Sequence, residues 1–171
     1  TAKGIQGNFS IKPSSFGLLI DTEKCYEFVR EVIIEAAKTN NFVRIDMESS
    51  DCTQREIDMF IRLKKEFLGN VGLVLQSYLK RTLSDIEYLI NEVHTPEFPL
   101  NIRLCKGIYV ESPKIAYTDF HEVRHHYLKD LELMLQKGVY VGIATHDQFL
   151  VKEAMELLEK YKVPANKYEF Q

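Results

Sequence analysis

The chain alternates between short apolar runs and longer stretches in which apolar residues recur every three or four positions. The short runs predict strands over residues 8–12, 42–47, 71–78, 102–109, 139–145 and 168–171. The periodic stretches between them predict five helices, one opening at Thr22, two at capping-box patterns over 53–56 and 84–87, one over 119–137 and one over 150–161. Asn40 and Asn41 end the first helix, and Gly138 ends the fourth.

Strands that alternate with helices through short links indicate right-handed parallel βα units. A doubly wound sheet and a (βα)8 TIM-barrel type of α/β fold both fit, but the first would show a glycine-rich phosphate turn after its first strand. Polar side chains instead stand at the C-terminal ends of nearly all strands, where barrels build their active sites. These residues are Lys12, Asp46, Gln76, Arg103, Lys106, Thr145, His146 and Gln171. The pattern favours an incomplete barrel with about six parallel strands, and one domain over residues 1–171.

The fourth predicted strand carries a charge that a purely structural strand does not need. Arg103 lies in its apolar run, and an unpaired guanidinium in a dry site costs several kcal/mol or more. Arg103 therefore requires a ligand, a carboxylate partner or a water-filled mouth. Alternation places Arg44 and Asp46 on one face of the second strand, where Asp46 can pair with Lys12 or Arg103. The alternatives are a buried ion-pair network without chemistry and a cationic cavity for an anionic or electron-rich ligand.

The composition argues against nucleic-acid binding, a disulfide framework and a metal site. The 171 residues are 45% hydrophobic and 27% charged, with a net charge of -3 and a pI near 6.0, which fits a soluble globular chain without a nucleic-acid-binding field. Three cysteines without CxxC spacing suggest neither a disulfide framework nor a zinc site and fit a reducing cytoplasm. His121 and His125 have metal-ligand spacing, but their amphipathic helix favours a surface position, and we expect no metal site.

Six stretches in this order resemble the proline dehydrogenase family, in its bacterial monofunctional form. They are residues 10–17 (SIKPSSFG), 43–48 (VRIDME), 74–78 (VLQSY), 103–109 (RLCKGIY), 143–147 (IATHD) and 169–171 (EFQ). The resemblance implies an FAD-dependent barrel that oxidises L-proline to 1-pyrroline-5-carboxylate and passes the electrons to a quinone. It also implies a cytoplasmic protein, with peripheral contact at the inner face of the membrane, and leaves oligomerisation open.

Carried over by position, the resemblance assigns substrate contact to Lys12 and an active-site role to Asp46. It places Arg103 at the flavin, where a cation near N5 stabilises the reduced ring. The remaining cofactor contacts that it implies are Met47, Gln76, Lys106, Gly107, Ile108, Thr145 and His146. Hydride transfer is chiefly cofactor chemistry, so these protein groups would orient and polarise the substrate and the flavin.

The sequence also departs from the family pattern. In the family, paired arginines clamp the proline carboxylate, and we expect the corresponding residues beyond Gln171. We also expect the chain to lack the family's first helix and last two βα units. Pro13 and Ile108 replace a more usual leucine and alanine. The alternative hypothesis is therefore a truncated, non-catalytic flavin-binding or assembly module of the same fold. A barrel of the aldolase or phosphate-binding type is disfavoured, because no glycine-rich phosphate site is present.

Overall fold

The structure is a computed structural model that describes residues 7–171. Its strands follow one another in chain order, β1-β2-β3-β4-β5-β6. The residues fall into two compact units, one ending at Val74 and one running from Leu75 to Gln171. The expectation of a single domain stays a prediction.

The first unit is built from β1 (Asn8–Ile11), α1 (Thr22–Ala37), β2 (Phe42–Ile45), α2 (Ser50–Phe67) and the start of β3 (Val71–Gln76). β1 pairs with β2 and β2 with β3, both in parallel, so the C-terminal ends of these strands share one edge. Apolar residues from both helices cover the strands and are fully buried. They include Cys25, Val29, Ile33, Ile57, Phe60 and Leu63.

The second unit contains the end of β3, then α3 (Thr82–Val93), β4 (Asn101–Cys105), α4 (Phe120–Gln136), β5 (Tyr140–Ala144), α5 (Gln148–Lys160) and β6 (Tyr168–Phe170). β4, β5 and β6 pair in parallel. Beyond β3, the backbone N–H groups of Ser77 and Tyr78 donate to the carbonyls of Cys105 and Lys106. This pairing fixes the backbone where β4 ends.

The predicted strands and helices all form, but the two capping boxes are wrong. α2 begins at Ser50 and α3 at Thr82, so residues 53–56 and 84–87 lie inside helices. Asp21, rather than Thr22, caps α1 by accepting from the backbone N–H of Lys24. The stop at Gly138 is confirmed, with φ +74.

The predicted fourth strand is too long. β4 ends at Cys105, and Gly107 has φ +116, a left-handed conformation that a strand does not contain. Arg103 is half-buried, whereas Arg44 in β2 is fully buried. Arg44 donates to the Leu73 carbonyl at 3.5 Å and lies over the Phe42 ring at 5.1 Å.

Candidate active site

In the first unit, Lys12 and Asp46 come together at the C-terminal ends of two paired strands. Lys12 follows β1, Asp46 follows β2, and Lys12 Nζ lies 3.2 Å from Asp46 Oδ2. The Lys12 side chain is half exposed at 52%, so this ion pair borders solvent. The structure thus supplies one of the two partners that the sequence offered to Asp46.

Hydrogen bonds between Ser14 and Glu48 connect the two segments that carry Lys12 and Asp46. Glu48 is buried, and its carboxylate accepts from the backbone N–H of Ser14 at 2.8 Å and from the Ser14 hydroxyl at 2.6 Å. Met47 is also buried. Glu48 and Ser14 therefore tie the segment after β2 to the turn after β1. Sequence reasoning gave neither of them a role, because nothing local links residues 34 positions apart.

In the second unit, the ends of β4, β5 and β6 line a cavity of about 590 Å³. This volume lies in the usual range of roughly 300–1,000 Å³ for small-molecule sites. Its lining includes five of the residues expected to contact a cofactor. The lining residues are Cys105, Lys106, Gly107, Ile108, Ala144, Thr145, His146, Asp147 and Gln171.

Arg103 and Gln76 are not among the residues that line this cavity, since Arg103 lies in the middle of β4 and Gln76 ends β3. The Arg103 guanidinium donates through Nε to the side-chain oxygen of Gln171, an acceptor that the sequence analysis did not consider. Gln76 is the last residue of β3 and is buried, and its backbone carbonyl accepts from the Thr82 hydroxyl at 2.6 Å. Each thus has its place fixed by a neighbouring element.

Asp147 organises one wall of the cavity, and sequence reasoning missed its part. It follows β5, caps α5 by accepting from the Phe149 backbone N–H, and lies 3.3 Å from Lys106 Nζ. Arg124 of α4 donates to both of its oxygens, at 2.9 and 2.6 Å. Hydrogen bonds from Arg124, helped by Lys106, lower the pKa of Asp147 to about 2. An aspartate between a strand and an apolar-periodic helix was the available signal.

Arg124 is itself held between two aromatic rings. Its guanidinium carbon lies 4.0 Å from the centre of Phe120 and 4.8 Å from that of Phe149. Such cation–π contacts restrict the guanidinium to one orientation. The two rings and Asp147 therefore fix a rigid support beside Lys106.

Gly107 is required by its surroundings as well as by its φ angle. A Cβ atom at this position would lie 2.2 Å from Tyr78 Cδ1. The missing side chain therefore makes room for the Tyr78 ring, which is 8% exposed.

The cavity presents an ammonium, a hydroxyl, an imidazole and an amide from Lys106, Thr145, His146 and Gln171, with the apolar Ile108 beside them. This mixture of donors and apolar surface fits a ligand that is anionic or electron-rich and partly hydrophobic.

Comparison with known proteins places the chain in a family. A family model described as proline dehydrogenase matches residues 3–171. The chain belongs to the proline dehydrogenase family. It is 34% identical over 169 residues to Proline dehydrogenase 2 of Bacillus subtilis, covering 98% of this chain and 53% of that protein. It is 32% identical over 174 residues to Proline dehydrogenase of Deinococcus radiodurans, covering 99% and 54%. The chain thus spans about half the length of these relatives.

A solved structure agrees with this chain on the fold. Proline utilization A from Bdellovibrio bacteriovorus, inactivated by N-propargylglycine, matches with a TM-score of 0.85 at 22% identity over 95% of this chain and 19% of that one. The predicted fold class, an incomplete TIM-barrel type with six parallel strands, is confirmed. No helix in the described part of the chain is long and apolar enough to cross a membrane.

Proposed function

We propose that the protein to which this chain belongs oxidises L-proline to 1-pyrroline-5-carboxylate, with FAD as hydride acceptor and a quinone as the final electron acceptor. The observation that carries the proposal is the cavity at the ends of β4, β5 and β6, whose lining includes five of the cofactor contacts expected from the family resemblance. Membership of the proline dehydrogenase family supports the reaction class. A cytoplasmic protein that meets the inner face of the membrane, where quinone is dissolved, is part of the same proposal.

The residues present fit an FAD molecule, which when bound supplies the hydride-accepting ring. Lys106, Gly107, Ile108, Thr145 and His146 would hold it in the cavity of the second unit. Lys106 brings a positive charge whose position is set by Asp147. The Gln76 amide can hydrogen-bond polar ring atoms. Met47 is a further cofactor contact that the family resemblance implies.

Arg103 would place a positive charge where the reaction delivers negative charge. A fixed cation at such a point lowers the barrier because it needs no reorganisation during the step. Its guanidinium orientation is restricted by the hydrogen bond to Gln171. Arg103 is therefore assigned a catalytic role.

Lys12 and Asp46 of the first unit would bind the substrate. The Lys12 ammonium can meet the proline carboxylate, while the Asp46 carboxylate holds that ammonium and can face the substrate nitrogen. Both groups bind and orient, which is the protein's main task in a hydride transfer.

The function is tested on purified full-length protein by flavin absorbance and by proline-driven reduction of a dye. Flavin absorbance together with proline turnover is the expected result. Protein without flavin and without turnover contradicts the proposal. Flavin retention without turnover would instead favour the non-catalytic flavin-binding or assembly module.

A further inference from the structure

One buried acid in the first unit has no role in the reaction as proposed. Glu56 lies on α2 and is 0% exposed. Its Oε2 atom accepts from the backbone N–H of Glu48 at 3.3 Å. Its Oε1 atom is buried and has no hydrogen-bond partner in the described part of the chain. An ionised oxygen in that position would lose its hydration without compensation.

The groups around Glu56 are mainly acidic. The side chains of Glu48, Cys52 and Glu56 come within 4.8 Å of one another through one ligand atom each. Burial raises the pKa of the Cys25 thiol of α1 to about 11, and the Glu48 and Glu56 carboxylates add to that rise. Lys12 and Asp46 act on Glu56 from the side of the strand ends with opposite signs. The Lys12 ammonium lowers the pKa of Glu56 by less than the Glu48 carboxylate raises it.

Glu48 is already satisfied as an anion, since both its oxygens accept hydrogen bonds from Ser14. A second negative charge beside it in a buried site is unfavourable. Burial raises the pKa of Glu56 to about 8, with the Glu48 carboxylate adding to the rise and the Glu48 N–H opposing it. The geometry and the electrostatics agree on a protonated side chain.

We propose that Glu56 is held as a neutral carboxylic acid and serves as a positioning residue for the Lys12–Asp46 ion pair. The connection runs through the backbone. Glu56 holds the N–H of Glu48, and the Glu48 carboxylate holds Ser14. Lys12 and Asp46 each stand two residues before one of these anchors. The positioning role rests on the proposed function, whereas the protonation state does not.

Ionisation of Glu56 would place two carboxylates against each other and loosen this connection. The protein would then hold Lys12 and Asp46 less firmly above the pH at which Glu56 loses its proton. Glu56→Gln is the matched variant, since its amide has the same shape and stays neutral at every pH. Glu66→Gln on the same helix, at an exposed position, is the control.

Infrared spectroscopy tests the protonation directly. Wild-type protein near about pH 6 should show the carbonyl band of a protonated carboxyl group, and the band should disappear above about pH 9. Burial also raises the pKa of Asp130, to about 7, so the Glu56 band is taken as the difference between the spectra of wild type and Glu56→Gln. Wild type and Glu66→Gln should show no such difference. Absence of the difference band between wild type and Glu56→Gln overturns the proposal.

Amide hydrogen exchange tests the positioning without substrate. At about pH 9.5 the Ser14 and Glu48 amides should exchange roughly tenfold faster in wild type than in Glu56→Gln, with no difference near about pH 6. Equal rates at both pH values overturn the positioning role. The ratio of the wild-type proline KM to that of Glu56→Gln should likewise rise over this pH range. Absence of proline turnover in wild type would count against the proposed function alone, because the band and the exchange rates are measured without proline.

Glu48, Cys52 and Glu56 could instead ligate a divalent cation. Metal ligation and a protonated Glu56 give opposite results in a cobalt-binding assay. Purified protein and protein incubated with Co²⁺ are assayed for bound metal and for a thiolate-to-cobalt absorption band. No such band is the expected result. A band that Cys52→Ser abolishes would make Glu56 an ionised ligand and overturn the proposal.

Discussion

The Arg124 guanidinium donates two hydrogen bonds, of 2.9 and 2.6 Å, to the Asp147 carboxylate, although the residues stand 23 positions apart. The Asp147 side chain is 4% exposed, so this pair is largely shielded from water. Because Asp147 also caps α5 and meets Lys106, one carboxylate fixes a helix terminus and a cation of the candidate cofactor cavity.

Asp147→Asn should destabilise the protein and weaken FAD binding. The amide keeps the helix cap but cannot neutralise Arg124 and Lys106, which would cost about 1–3 kcal/mol. Urea unfolding measures the stability, and flavin titration of apoprotein measures the affinity.

Asp119→Asn is the matched control for that variant. Asp119 caps α4 by accepting from the backbone N–H groups of His121 and Glu122. Asparagine caps a helix about as well as aspartate, so the control should change stability by less than about 0.5 kcal/mol. Equal losses in the two variants would contradict the role given to the ion pairs of Asp147.

Lowering the pH should remove the contribution of the Asp147 carboxylate to the stability of the folded protein over a defined pH range. Its pKa is lowered to about 2 in the folded protein, chiefly by Arg124, while an unfolded aspartate titrates near about 4. The stabilisation is therefore fully present above about pH 4 and is lost as the pH falls towards 2. The stability difference between wild type and Asp147→Asn, measured by urea unfolding, should shrink over that range. A constant difference would show that the carboxylate charge is not its source.

Gly107→Ala should destabilise the second unit strongly. The new methyl group would overlap the Tyr78 ring, and φ +116 strains any residue with a Cβ atom. We expect a loss of about 2–4 kcal/mol in thermal or urea unfolding.

Gly138→Ala separates backbone strain from the clash. Gly138 also has a positive φ, +74, but nothing lies within 4 Å of its added Cβ. Its substitution should cost only about 1–2 kcal/mol. If both alanine variants lose the same stability, the Tyr78 contact has no part in requiring glycine at 107.

Arg103→Met should lower proline turnover by about 100-fold or more while changing FAD retention much less. The guanidinium charge matters most where the reaction delivers negative charge, and less for holding the cofactor. Stopped-flow reduction by proline and flavin titration measure the two effects. Arg103→Lys, which keeps the charge, should recover part of the turnover. Equal losses of turnover and FAD affinity would indicate a structural role for Arg103.

The order and type of the helices and strands could be predicted from the sequence because periodicity is a local property. The pattern over 119–137 corresponds to Phe120–Gln136, capped by Asp119. The position of Lys12 and Asp46 at strand ends followed as well, since parallel βα units bring such ends to one edge. Gly138 was readable as a stop because a left-handed terminus favours glycine.

Only the tertiary structure decided which side chains those elements bring together. Glu56 matched a local capping box, but α2 begins earlier and the residue is buried against Glu48. In the sequence, Asp147 is one polar residue after a strand. Nothing in the local sequence indicated its ion pair with Lys106, which is 41 positions away. The sequence indicated only that Gly107 gives backbone freedom. The structure shows that the Tyr78 ring leaves no room for a side chain at this position. Periodicity is set by neighbours along the chain, whereas burial and charge pairing depend on segments that become neighbours only when the chain folds.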